Sequence, residues 1–341
     1  MSNAVKEFIE GGNACLGLEF GSTRIKAVLI DEQNKPIASG AFDWENSLDN
    51  GIWTYSIDEI HNGLSTCYAN LKKDVQEKFG AKLTKLKAMG ISAMMHGYLA
   101  FDKDDKLLVP FRTWRNTITG EASEKLSSLF NYPIPERWSI SHLYQAMLNK
   151  EPHVKDVAFF TTLAGYVHWK LTGQKVLGIG DASGMFPVDM QTKAYNAKML
   201  DAFDELIKPY GFGYKLEDIL PKILVAGEAA GTLTSDGAKL LDKDGDLEPG
   251  FIFAPSEGDA GTGMVATNSV RSRTGNVSAG TSVFAMVVLE KELSKAYNGK
   301  IDLVTTPSGE LTAMAHANNC TGEYDKWIKL FGQAIAECGF S

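Results

Sequence analysis

The sequence predicts an α/β fold, and three observations carry that expectation. Residues 15–31, CLGLEFGSTRIKAVLID, set an apolar run before Gly21-Ser22-Thr23 and an alternating run, Ile25, Ala27 and Leu29, after it. That is the pattern of a β-hairpin around a short turn. Residues 57–79 carry Ile60, Leu64, Tyr68, Leu71 and Val75 at three- to four-residue spacing, the buried face of a helix. Beyond them, strand-sized apolar runs and helical periods keep alternating, which places helices against a sheet.

Taken in order, residues 36–44 predict another strand ahead of the helix at 57–79. Residues 87–101, KAMGISAMMHGYLAF, predict a buried strand, a loop at His96-Gly97 and a second strand ending at the acidic turn 102–105. Residues 117–130, 141–149 and 162–171 predict helices, the second with a serine cap and the third closed by Gly173. After Pro221, FIFAPSEGDAGTGMVATNSV reads as strand, loop and a helix starting near Thr262, and GNVSAGTSVFAMVVLE as a hairpin. Residues 302–317 supply strands around Pro307-Ser308-Gly309, and residues 322–338 an amphipathic helix. Three strands followed by a helix thus occur twice, without a matching sequence repeat.

Composition narrows the function. Among 341 residues, Lys and Arg number 34 against 42 Asp and Glu, a formal net charge of −8, and no Lys/Arg run exceeds two. Phosphate-backbone binding needs clustered positive charge, so a nucleic-acid binder is disfavoured. A content of 44% hydrophobic residues supplies packed cores, and the length predicts two domains. No apolar run approaches the ~18 residues of a membrane-spanning helix, and MSNAVKEFIEGGNA lacks the apolar core of a secretory signal. Ser2-Asn3-Ala4 resembles a tag remnant, which leaves residues 1–14 as an extension. Cys15, Cys67, Cys320 and Cys338 form no CxxC pair and the histidines no HExxH, consistent with reduced thiols in a cytoplasmic protein without a histidine metal centre.

Several residues carry chemistry or ordinary structure. Gly21-Ser22-Thr23 and Gly280-Thr281-Ser282 are each suited to approach a phosphate through backbone amides and hydroxyls, and each is also ordinary hairpin-turn composition. Neither is a P-loop, because GxxxxGK[ST] is absent. Asp259, in PSEGDAGTGM, reads either as a base at a strand end or as the cap of the following helix. Asp181, in GIGDASGMF, has the same character, with an Asx turn as its plainer reading. His96, and Trp114-Arg115-Asn116, offer an aromatic face beside hydrogen-bonding groups, as a polyhydroxylated ligand requires, or else a buried histidine and a core tryptophan.

Together these segments resemble the FGGY family of carbohydrate kinases, and within it the xylulose kinase branch. LGLEFGSTRIKAVLID is similar to the family's first phosphate motif and GISAMMHGYLAFD to its QMHG sugar-site segment. GYVHWKLTGQ with GDASGMFPVD resembles the segment before the second sugar carboxylate, GDAGTGMVA the stretch with the catalytic aspartate, and GNVSAGTSV the second phosphate motif. The resemblance implies a ribonuclease H-like, actin-like ATPase fold shared with hexokinase and the heat-shock ATPases. It implies Asp259 as general base deprotonating a ketose or polyol hydroxyl for attack on the γ-phosphate of Mg-ATP. By the same carry-over, ATP phosphates meet Gly21, Ser22, Thr23, Lys26, Gly280, Thr281 and Ser282, Mg2+ falls to Glu19, and the sugar to Met95, His96, Trp114, Arg115, Asn116 and Asp181.

Three residues depart from the family pattern: Glu19 stands for Asp, Met94 for Gln, and Arg115-Asn116 for Asn-Asp. The guanidinium of Arg115 raises a phosphorylated or acidic sugar as a candidate substrate. Family chains also continue beyond this point. The expected division is therefore 1–14 as extension, 15–270 as N-terminal domain and 271–341 as the start of a C-terminal domain, completed by further sequence, a homodimer or another chain. Two other readings stay open here: a non-catalytic sugar-binding or regulatory fragment, and an actin-like or chaperone-like ATPase without a sugar substrate.

Overall fold

A computed structural model describes residues 2–279, 283–297, 299–317 and 320–339. Its main sheet is built on the predicted hairpin. The Cys15–Phe20 strand pairs antiparallel with Arg24–Ile30, which pairs antiparallel with Pro36–Asp43. On its other side Cys15–Phe20 runs parallel to Ala88–Ala93, which in turn pairs parallel with both Ile252–Phe253 and Glu257–Gly258. Strictly alternating burial puts Leu16, Leu18 and Phe20 on the core face, with Ile25, Ala27 and Leu29 beside them.

The Ile57–Phe79 helix matches its predicted span and lies across this sheet. Ser56 accepts from the Glu59 amide while the Glu59 carboxylate accepts from the Ser56 amide, and Gly80 closes the helix at φ 60°. Close approach of helix to strand depends on Gly40, where an added Cβ would sit 2.3 Å from the Cys67 carbonyl.

The second sheet is wholly antiparallel, in the order Gly275–Ala279, Val283–Val288, Leu311–Ala317, Asp302–Thr305. The strands 302–305 and 311–317 flank the predicted turn at 307–309, and with the hairpin before them they make four strands rather than the coarse count of three. The Thr321–Glu337 helix follows it.

Other differences are local. The predicted helix at 117–130 spans Gly120–Phe130, and that at 141–149 starts two residues earlier, at Ser139 after Trp138, with no side-chain cap. Ser141 is inside that helix, its hydroxyl donating to the Pro135 carbonyl. Ser2–Glu10, read as tag and extension, forms a helix that buries Ile9 completely. Among the described residues no helix is long and apolar enough to cross a membrane.

Candidate functional site

Three parallel strands end side by side. The register pairs Phe20 with Ala93 and Ala93 with Gly258, so Gly21-Ser22-Thr23, Met94-Met95-His96 and Asp259 leave the sheet at one edge. Ligand sites of open α/β sheets gather at such carboxyl ends. A cavity of about 770 Å³ opens there, lined by Glu19, Gly21, Ser22, Thr23, Lys26 and Asp259 among others.

The Gly21–Thr23 turn presents donors. Its three carbonyls are each taken by the protein: Gly21 by Trp44 Nε1 at 2.7 Å, Ser22 by the Tyr55 hydroxyl at 2.7 Å, and Thr23 by the Trp44 amide at 3.1 Å. Among the described residues, no acceptor engages the amides or hydroxyls of Ser22 and Thr23. A turn with occupied carbonyls and unpaired N–H and O–H groups suits an anion. Cross-strand neighbours Lys26 and Glu19 face the same cavity, 3.3 Å apart and half exposed.

Asp259 is the first residue of the Asp259–Ala266 helix, with Gly258 in the cap position, so the capping alternative does not hold. Its Oδ1 accepts from the Ala260 amide at 2.9 Å. The carboxylate is open to the cavity, yet dense protein around it raises its pKa to about 6, with the Glu19 charge adding to the effect.

Behind Asp259 lies a buried polar cluster. His96, at φ 69°, places Nδ1 3.1 Å from the Gly184 carbonyl. A carbonyl only accepts, so Nδ1 carries the proton. Burial and the nearby Arg137 hold the ring well below its ordinary pKa, neutral, with Nε2 an acceptor. Asp181 is fully buried; its Oδ2 accepts from Thr162 Oγ1 at 2.6 Å, while Oδ1 has no partner among the described residues. It makes no Asx turn. Burial raises it to about 7 against the Thr162 hydrogen bond, and the Asp259 charge contributes. Gly258 lets these parts meet, because a Cβ there would stand 2.1 Å from Met95 Cγ and 3.2 Å from Asp181 Oδ1.

Glu257 belongs to this cluster and the sequence reading missed it. Its carboxylate accepts from the amides of Gly180 at 3.3 Å and Asp181 at 2.9 Å, and burial with the Asp181 charge raises it to about 8. An acidic residue two places before Asp259 was the available signal.

The loop at residues 114–116 does not line this cavity. Trp114 is half-buried against the core. Arg115 stacks 3.8 Å over the Trp53 ring and donates to Asn46 Oδ1 at 3.0 Å. Asn116 is committed to backbone, accepting from the Trp53 amide and donating to the carbonyls of Trp53 and Thr113. Its two amide protons are therefore spent on backbone carbonyls, and the buried side chain has no donor left for a sugar. Gly280, Thr281 and Ser282 lie outside the described residues. Among those described, no group of three or more His, Cys, Asp or Glu side chains is arranged to hold a metal.

Residues 14–245, more than half of the chain, match the N-terminal domain of the FGGY family of carbohydrate kinases. A glycerol kinase of Thermococcus gammatolerans is 23% identical over 334 residues, covering 92% of this chain and 62% of its own length. A xylulose kinase of Klebsiella pneumoniae is 23% identical over 294 residues, covering 82% and 55%. The solved structure of a xylulose kinase from Lactobacillus acidophilus superposes with a TM-score of 0.77 at 17% identity, covering 92% of this chain and 61% of that one. The chain thus spans less than two thirds of the length of each of these three, and its fold is the actin-like ATPase fold of these kinases.

Proposed function

The chain belongs to the FGGY family of carbohydrate kinases, and from that premise we propose that it is the sugar-binding portion of an ATP-dependent kinase of a ketose or related polyol. Residues 15–270 form its substrate unit in this reading, and residues 271–341 begin a second unit. Asp259 takes the proton of a substrate hydroxyl. That oxygen then forms its bond to the γ-phosphorus as the bond to the ADP oxygen breaks. One observation carries the assignment: the Asp259 carboxylate opens on the cavity with the donor-rich turn while buried Asp181 and neutral His96 stand directly behind it.

On the phosphate side, Gly21, Ser22, Thr23 and Lys26 receive the nucleotide, with Gly280, Thr281 and Ser282 as partners from the second unit. On the sugar side, His96 Nε2 accepts from a hydroxyl, Asp181 Oδ1 pairs with another as donor when protonated and acceptor when ionised, and Met95 packs against carbon. Trp114 supplies a flat wall. The donor set fits a magnesium ion carried by polyphosphate, since Mg2+ needs only one or two carboxylates and Glu19 and Asp259 line the same cavity. There the ion would neutralise phosphate charge.

Thermal unfolding against ketoses and polyols, each with and without Mg-ATP, tests the reading. A substrate at one hundred times its Kd stabilises by about 2.7 kcal/mol. A raised melting temperature with one sugar, increased again by nucleotide, is the expected result. A cooperative melt that no sugar moves would overturn it.

A further inference from the structure

The Gly21–Thr23 turn is held from outside by the chain between residues 44 and 55. Trp44 and Tyr55, which occupy its carbonyls, stack with ring centroids 4.1 Å apart. Tyr55 has one hydroxyl proton and gives it to the Ser22 carbonyl, so its oxygen accepts from Asn46 Nδ2 at 3.4 Å. Asn46 in turn accepts from Arg115 Nη1 at 3.0 Å through Oδ1. Guanidinium never accepts, which fixes the Asn46 amide with its oxygen toward Arg115 and its nitrogen toward Tyr55. Every donor in the series therefore points one way, from Arg115 through Asn46 and Tyr55 to Ser22. Arg115 is itself fixed by stacking at 3.8 Å over Trp53, whose backbone Asn116 holds on both sides.

We propose that Arg115 is a positioning residue for the phosphate turn, locking Asn46 and Tyr55 so that the Ser22 carbonyl stays occupied and its amide stays available to an anion. This inference rests on the kinase reading above and places the work of Arg115 on the nucleotide side. It gives that guanidinium a role other than contact with an acidic sugar. It also ties Arg115, which lies outside the lining of the cavity, to the phosphate turn through one set of hydrogen bonds.

The test is calorimetric titration with magnesium tripolyphosphate and with Mg-ATP. The chain is compared with its Tyr55→Phe, Arg115→Ala and Arg115→Lys variants and the Tyr55→Phe/Arg115→Ala double variant. The sugar that stabilises the wild type is titrated in parallel. Loss of the Tyr55 hydrogen bond is expected to weaken both polyphosphate ligands about tenfold. Arg115→Ala weakens them several-fold, Arg115→Lys restores part of that loss, and the double variant is no weaker than Tyr55→Phe, because both act on one path. Sugar affinity stays at the wild-type value throughout. Unchanged polyphosphate affinity in Arg115→Ala, or fully additive effects in the double variant, would overturn the proposal while leaving the kinase reading intact. Wild-type protein that binds neither tripolyphosphate nor ATP would overturn both.

Discussion

The Glu257 carboxylate accepts a 2.9 Å hydrogen bond from the Asp181 backbone amide, which sets two buried carboxyl groups against one four-residue helix, Ile179–Ala182. Burial first, and then the Asp181 charge, raises Glu257 to about 8, while Asp181 is raised to about 7. Both groups hold protons in the folded chain at pH values where the unfolded chain has released them. Stability therefore falls as pH rises, from the ordinary carboxylate range up through about 8. Urea unfolding at pH 5.5, 7 and 8.5 should show a declining midpoint. Glu257→Gln, which cannot titrate and keeps one oxygen to accept from the Asp181 amide while losing the longer Gly180 contact, should flatten that decline at a lower overall midpoint. A midpoint level across this range, or a Glu257→Gln slope equal to wild type, contradicts the account.

Asp259 gives a prediction of opposite pH sign, because catalysis needs its ionised form. With a pKa raised to about 6 by its surroundings, phosphoryl transfer should fall as pH drops from 8 through 6. Asp259→Asn retains an oxygen for the Ala260 amide but accepts no proton, so turnover should fall on the order of 10²- to 10⁴-fold with the unfolding midpoint preserved. Initial rates with the stabilising sugar supply the check. Turnover in the Asn variant close to wild type would remove Asp259 from the base role.

How legible these features were in the sequence depended on range. The first hairpin and the helix at 57–79 follow from patterns within a few residues, since alternation, capping and a closing glycine are local signals. Asp259 was visible for the same reason, set among small residues at a strand end. Glu257 was not, because its partners lie on residues 180 and 181, which reach it where the Gly178 amide donates to the Ser256 carbonyl at 2.8 Å. Arg115 was misleading by itself. Its charge suggested an anionic ligand, whereas Trp53 and Asn46, roughly sixty residues earlier, absorb it. The N-terminal helix was discounted on the look of its first residues, although the burial of Ile9 depends on the helix Ser2–Glu10.

Lys72 offers a second long-range prediction. Its ammonium lies 2.9 to 3.0 Å from carboxylate oxygens of Asp242, Asp244 and Asp246, and Asp242 is nearly inaccessible. Burial alone would lower the Lys72 pKa, but the three carboxylates outweigh it and the net shift is upward. Asp242 also accepts from the amides of Asp246 and Leu247 at 2.9 Å, so it cannot leave without undoing its loop. Lys72→Met should therefore lower stability by about 1–3 kcal/mol, as a buried charge loses its partner. Asp244→Asn, on an exposed carboxylate, should cost less than about 1 kcal/mol. Equal losses in the two variants by urea unfolding would show that burial at Asp242 does not set the scale.

The Thr321–Glu337 helix makes the last prediction, from the opposite situation. Tyr324, Trp327, Ile328, Phe331 and Ile335 follow one another at helical spacing, and each is more than 50% exposed. Trp327 and Phe331 stack on one another at 5.9 Å, but the stripe is not buried in the core. Side chains that leave water only slightly contribute little to folding, whereas a contiguous apolar stripe attracts dyes and other copies. Trp327→Ser with Phe331→Ser should thus shift the unfolding free energy by no more than about 0.5 kcal/mol. The same pair should reduce binding of an apolar fluorescent dye and the concentration dependence of sedimentation. A large loss of stability would mean that the stripe packs against the body of the chain in solution, and unchanged dye binding would place the apolar surface elsewhere.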